Sequence, residues 1–409
     1  MQPKQQEDLC RHITQVTIGY DGDDYVVGRP DLGVYVAVPE PGAVFITALQ
    51  AGESVVEATS RASEAAGEPV DGTDFLAGLA EVGLLAAPSG VESTSGGGKG
   101  RRIRWIEGVN PRAARRLFGP AAWVCYAAAA VFAAGVLLLR PDLRPSWEDI
   151  WFLSDPVLSV LAYMPVALLL VATHEAWHWL AGRAAGVPSV FRVSNRGFFL
   201  VFETDLTQIV TLPGGRRFGR FVAGMAIDSA VLATALALRL LYREELLLLP
   251  AVVDRFLGVL VLYQTIVIVW QWAAVFLRND GYAVLANALR CHNLYRVSWL
   301  TAKRRLFRPT DDERAELDAA SERDRSVAVW FALVHVAGFL AMVWVFFSYA
   351  LPFLVALLGW VLGNLRAGSI GTRTFWESAA LLVCLAAQYG IPPLLALREQ
   401  RMRKAGELL

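Results

Sequence analysis

The amino-acid sequence predicts a mainly α fold. It is a polytopic membrane helix bundle of about six spans, with a β-hairpin between the second and third and a small α+β domain in front. Three observations carry this. Of 409 residues, 55% are hydrophobic and only 19% charged, a balance seldom found in a soluble domain. Past residue 119 the apolar residues gather into stretches long enough to cross ~30 Å of hydrocarbon. The first 87 residues instead alternate in short runs and break at turn residues.

Within residues 1–87, "YVVGRP" and "VYVAVPEPG" alternate like short strands, and "GAVFITALQAG" has the pattern of a helix stopped by glycine. "SVVEATSRASEAAG" and "TDFLAGLAEVGLLAA" supply two more helices. Ser54 with Glu57, and Thr73 ahead of Asp74, are expected N-terminal caps. "PSGVESTSGGGKG" (88–100) has the composition of a flexible linker, and "GRRIRWIEGVNPRAARRLFG" adds a basic segment before the bundle. The predicted organisation is therefore 1–87 as a folded domain, 88–119 as linker and basic juxtamembrane segment, and 120–409 as the transmembrane domain.

Spans are expected at about 120–139, 157–180, 221–241, 256–277, 328–350 and 376–397. The stretch 328–363 exceeds one span and holds Pro352, so it is expected to be one span plus a re-entrant piece. Basic residues orient the bundle. One cluster (Lys99 to Arg116) precedes the first span, a second (Lys303, Arg304, Arg305, Arg308) lies between the fourth and fifth, and a third (Arg398 to Lys404) follows the last. Six spans put all three clusters and both termini in the cytoplasm of a cell-membrane protein, consistent with a polar start, "MQPKQQEDLCRHITQ", that is not a signal peptide. A seventh span would send the last cluster outside. Balanced charge, 38 basic against 38 acidic residues, argues against nucleic acid as a partner and leaves the bilayer. Cys10, Cys125, Cys291 and Cys384 are scattered, which argues against a disulfide framework or a thiolate zinc site.

Polar groups are costly in hydrocarbon, so "VATHEAWHWLAG" (171–182) stands out. His174 and His178 are one helical turn apart and can hold one zinc ion, with Glu175 beside them to take a proton from water. The alternative is a polar helix end at the membrane surface. A hydrolytic zinc site needs a third protein ligand. Asp280, flanked by apolar residues in "VFLRNDGYAVLANAL", lies at the inner end of the fourth span, the same depth as the histidines. Asp228 in "VAGMAIDSAVL" is the rival, as a ligand, an orienting group or a helix polar residue held by a neighbour. His335 is expected to be packed and hydrogen-bonded, and His12 and His292 to be surface residues. Trp147, Trp151 and Trp360 are expected to mark membrane interfaces. "VFRVSNRGFFLVFETDLTQIVTL" alternates on both sides of "SNRG" and predicts the hairpin, whose edge either binds a peptide strand or shields the metal from lipid.

On "HEAWH" and the later "NDG" (Asn279, Asp280, Gly281), the chain resembles the site-2 protease family of intramembrane zinc metallopeptidases. "DGYAVLANAL" looks especially like the branch described as putative peptide zinc metalloproteases. The resemblance spans roughly residues 150–300. It implies zinc held by His174, His178 and Asp280, Glu175 as general base, and substrate-binding roles for Asn279 and Asp228. The family's Gly-Pro-x-x-Asn element corresponds here to "GMAID", Gly224 to Asp228, without the proline and with aspartate for asparagine, a departure that bears on substrate positioning. "ALQAGESVVEATSRASEAAGEPVDGTDFLAGLAEVGLL" resembles a PqqD-type winged-helix domain, which implies recognition of a leader peptide. Together these imply a membrane zinc endopeptidase that cuts a peptide or precursor in the maturation or export of a ribosomally made modified peptide. The competing class is a non-proteolytic membrane peptide-binding or carrier protein with a polar intramembrane site.

Overall fold

The computed structural model describes residues 12–21, 24–29, 34–85, 111–186, 190–196, 199–205, 209, 212, 214–368 and 370–404. They fall into two compact units, one within Met1–Arg101, Gly186–Ser189 and Leu206–Phe218, the other within Arg102–Ala185, Val190–Asp205 and Gly219–Leu409. The expected linker, 88–100, lies outside the described residues.

The first unit opens with an antiparallel sheet in the order β1 (Thr17–Asp21), β2 (Asp24–Arg29), β3 (Val34–Val38). Sequence alternation leads to two strands; β1, "TIGYD", is an addition. Its glycine and short apolar content hide it until Ile18 pairs with Val27 across the ladder. Three helices follow: α1 (Glu40–Gln50), α2 (Val55–Ala66) and α3 (Gly72–Glu81). At α2 the Ser54 N–H donates to Glu57 Oε2 at 2.8 Å and the Glu57 N–H to Ser54 Oγ at 3.3 Å, the expected reciprocal cap. At α3 the cap is Asp71 instead of Thr73, because the Asp71 carboxylate accepts from both Thr73 N–H and Asp74 N–H at 2.9 Å. Phe45, Ile46, Leu76, Leu84 and Leu85 form the core with Ile13 and Val27. Arg29 is fully buried and donates from Nη1 to the Leu84 carbonyl at 3.2 Å, which secures the end of the unit to its sheet.

In the second unit the basic segment enters as α4 (Pro111–Leu117), and Arg115 Nε donates to the Ala184 carbonyl at 3.3 Å. α5 (Pro120–Leu139) and α6 (Pro156–Ala184) follow, joined by 3-10 turns at Pro141–Leu143 and Trp147–Ile150. Next come β4 (Val190–Arg196) and β5 (Phe199–Asp205), paired antiparallel with Arg196 opposite Phe199. The ladder closes later than "SNRG" leads one to expect, since β4 runs on to Arg196; residues 197–198 lie outside the described residues. A short helix α7 (Gly214–Phe221), of which residues up to Phe218 are grouped with the first unit, precedes α8 (Ala223–Arg243) and α9 (Ala251–Ala273). α10 (Asp280–Ala288), α11 (Leu294–Leu306) and α12 (Asp311–Ala319) are shorter and more polar. α13 (Glu322–Val345), α14 (Leu351–Ala367) and α15 (Arg373–Lys404) complete the chain.

Five helices among the described residues are long and apolar enough to cross a membrane: α5, α6, α8, α9 and the run Glu322–Arg366. The sixth expected span, 376–397, lies inside α15, outside that count. Where one span plus a re-entrant piece is expected, the run Glu322–Arg366 is continuously helical. Its 45 residues are one helical path of about 68 Å, with a π-helical segment, Phe346–Ala350, between α13 and α14. Pro352 carries no N–H and crowds the preceding turn, and a widened turn just ahead of it relieves that clash without ending the helix.

α8 and α9 form an antiparallel hairpin. Leu232, Ala233, Ala235 and Leu236 pack on Leu257 and Val261, with Ala133 and Val136 of α5. Small residues on α8 permit the close approach. At the hairpin's closed end the buried Asp254 accepts from Arg239 Nε at 3.1 Å and from Arg243 Nη2 at 3.0 Å. At its open end lie the first turns of α8 and the last turn of α9, which build the site.

Candidate metal centre

The last third of α6 carries His174 and His178, 7% and 3% exposed. Four residues of helix turn both rings to one side, with centroids 5.0 Å apart. Asp280 begins α10 and brings Oδ2 to 2.9 Å from His174 Nε2 and 3.0 Å from His178 Nε2; the two Nε2 atoms are 3.3 Å apart. Residues 106 positions apart thus converge on one point.

The other ring nitrogens fix the tautomers. His174 Nδ1 lies 2.6 Å from Asp228 Oδ2, and His178 Nδ1 lies 2.8 Å from the Arg220 carbonyl. A carbonyl only accepts, so His178 Nδ1 carries a hydrogen, and the carboxylate places one on His174 Nδ1 in the same way. With both imidazoles neutral, two Nε2 lone pairs and a carboxylate oxygen face one another. In that state the three atoms are placed as the ligands of one metal ion would be. Zinc bonds of 2.0–2.1 Å in a tetrahedron place ligand atoms about 3.4 Å apart, close to the separations here. The donor set, two imidazoles and a carboxylate with each imidazole hydrogen-bonded behind, is one that could hold a metal ion.

Two glycines make the approach possible. A Cβ at Gly224, in the first turn of α8, would lie 2.4 Å from His174 Nε2 and 2.5 Å from His178 Nε2. A Cβ at Gly281 would lie 2.0 Å from the Gln271 carbonyl oxygen.

The other expected residues fall as follows. Glu175 is half-buried and follows His174 directly on α6. Asn279 and Asp228, expected to bind substrate, both have protein partners. Asn279 caps α10 by accepting the Tyr282 N–H at 3.0 Å, and its Nδ2 donates to the carbonyls of Trp270 at 3.3 Å and Gln271 at 3.0 Å. Asp228 stands behind His174 in the orienting position, one of the three alternatives its sequence leaves open. His335 is packed, 4.8 Å from the Tyr295 ring and 5.7 Å from that of Trp299, but its Nδ1 has no hydrogen-bond partner among the described residues. His292, Trp147, Trp151 and Trp360 are exposed. Sequence reasoning misses Gln271 and the Arg220 carbonyl. The first had a signal, a glutamine in the last turn of an apolar span; a backbone carbonyl has none.

Comparison with protein-family models, curated proteins and solved structures finds no match.

Proposed function

We propose that the chain is a membrane-embedded zinc endopeptidase of the site-2 protease type, acting on a peptide or precursor in the maturation or export of a ribosomally made modified peptide. The observation that carries this reading is the convergence of His174, His178 and Asp280, with a hydrogen-bond partner behind each ring; Glu175 follows His174 on the same helix. Zinc bound there would supply a Lewis acid for water and for the scissile carbonyl. Glu175 takes a proton from the attacking water and returns it to the departing amide nitrogen, so that one water and one peptide bond become a carboxylate and an amine. Asp228 and the Arg220 carbonyl hold the two rings in the ligating tautomer. The β4–β5 ladder offers strand edges in the same unit as the site.

The first unit supports the precursor part of the reading. Its three strands leave β1 and β3 as edges, followed by three helices, and such a sheet edge suits capture of an extended leader. The deciding experiment pairs metal analysis with cleavage. Purified protein is expected to hold about one zinc per chain and to cut a precursor. Glu175→Gln is expected to keep the zinc and lose at least ~10²-fold in cleavage. Zinc retained with near-normal cleavage in that variant would remove Glu175 as the base. Metal binding with no cleavage of any precursor would favour the carrier reading.

A further inference from the structure

We propose that Gln271 is a positioning residue for the metal ligand Asp280, a role that rests on the metal-site reading above and goes beyond its ligand set. The Asp280 backbone N–H is one of the donors that a helix start leaves without an intrahelical acceptor. The local cap at α10 is Asn279, which accepts the Tyr282 N–H at 3.0 Å and leaves the Asp280 N–H without a local acceptor. The Asp280 N–H goes elsewhere, to Gln271 Oε1 at 3.2 Å, on the last turn of α9 nine positions earlier. The acceptor therefore comes from a different helix. It sets where α10 begins relative to α9.

The same glutamine is met twice more. Its backbone carbonyl accepts from Asn279 Nδ2 at 3.0 Å, and Gly281 lies so close to that carbonyl oxygen that a Cβ would come within 2.0 Å of it. Residues 279, 280 and 281 each touch Gln271 through a different atom. Ahead of them, Arg278 adopts a left-handed conformation, φ 57°, that a non-glycine residue sustains only where its surroundings hold it. Asp280 is the one ligand that α6 does not supply, and its Oδ2 must meet two Nε2 atoms at 2.9 and 3.0 Å together. A loop free to shift by an ångström would lose one of them. Gln271 removes that freedom by tying the Asp280 backbone to a membrane helix whose own place is set by packing on α8.

The test uses the full-length protein in detergent, with zinc affinity measured by chelator competition and coordination read from the visible absorption of the cobalt-substituted form. Gln271→Met keeps the length and apolar packing and removes the acceptor. Gln271→Glu keeps the acceptor. The expected result is a ~10–100-fold loss of zinc affinity for Gln271→Met, the range for removing a group that orients a ligand, together with an altered cobalt spectrum. Gln271→Glu is expected to restore the wild-type spectrum. A merely structural role would lower the unfolding temperature without changing the spectrum of the cobalt-loaded protein, and that result would overturn the proposal. So would wild-type affinity in Gln271→Met. If the wild type itself binds neither metal, the metal-site reading falls and this one with it. If the wild type binds and Gln271→Met binds equally well, only the role of Gln271 falls.

Discussion

Replacing Gly224 with alanine tests the site with a single carbon. In most helices that change stabilises: alanine is favoured over glycine by about 0.8–1.0 kcal/mol in a helix interior. Here the added carbon would sit 2.4 Å from Cε1 and Nε2 of His174 and 2.5 Å from His178 Nε2, well inside van der Waals contact. At least one imidazole must move, and each is tied behind, to Asp228 or to the Arg220 carbonyl. Overpacking of this kind costs about 1–3 kcal/mol, so the propensity gain offsets part of it and the net loss of stability is about 0–2 kcal/mol. The effect on metal is larger, because the methyl group points at the nitrogen atoms that would ligate it. Displacing one of three ligands is expected to cost at least ~100-fold in zinc affinity, about 2.7 kcal/mol. The assay is chelator competition on wild type and Gly224→Ala at equal loading, with thermal unfolding of the metal-free forms followed by circular dichroism. Zinc affinity within threefold of wild type would refute the reasoning, since the space facing both Nε2 atoms would then not be where the ion binds. A large fall in the stability of the metal-free protein would point instead to general disruption of the α6–α8 contact.

Three further changes probe separate parts of the chain. Asp228→Asn keeps an acceptor for His174 Nδ1 but removes the charge; zinc affinity is expected to fall by ~10-fold, and Asp228→Ala to fall further, measured by the same competition. Asp254→Ala leaves Arg239 buried with its carboxylate gone and is expected to destabilise the α8–α9 hairpin by about 3–5 kcal/mol, read as a lower unfolding temperature in detergent; an unchanged temperature would mean that the ion cluster contributes nothing. Ser54→Ala removes half of a reciprocal cap and is expected to cost about 1 kcal/mol locally, seen as faster amide exchange in the first turn of α2 with zinc binding unchanged.

How much of this was open to inspection in the sequence depends on the range of the physics involved. The two histidines belong to one turn of one helix, so spacing alone places them together, and the long apolar stretches announce their helices because the bilayer imposes a length. Asp280 could be matched in depth but not in contact, because the bond from α10 to α6 depends on how three helices pack. The caps divide along the same line. Ser54 and Glu57 answer each other at a spacing of three, whereas Asp71 could be told from Thr73 only by the angle at which the chain enters α3. Gly224 and Gln271 show what lies beyond local pattern. A glycine in "GMAID" and a glutamine in "VWQWA" have no partner in their own neighbourhoods, and their reasons for being there are the atoms that other helices press against them. In a bundle of apolar helices the chemistry is carried by few polar groups, and leaving one unpaired, as His335 Nδ1 is among the described residues, is costly. The informative question about such a residue is therefore which distant atom satisfies it. For Asp228 the answer is the far side of His174, which turns a costly buried carboxylate into the group that holds that ring with Nε2 turned toward His178 and Asp280.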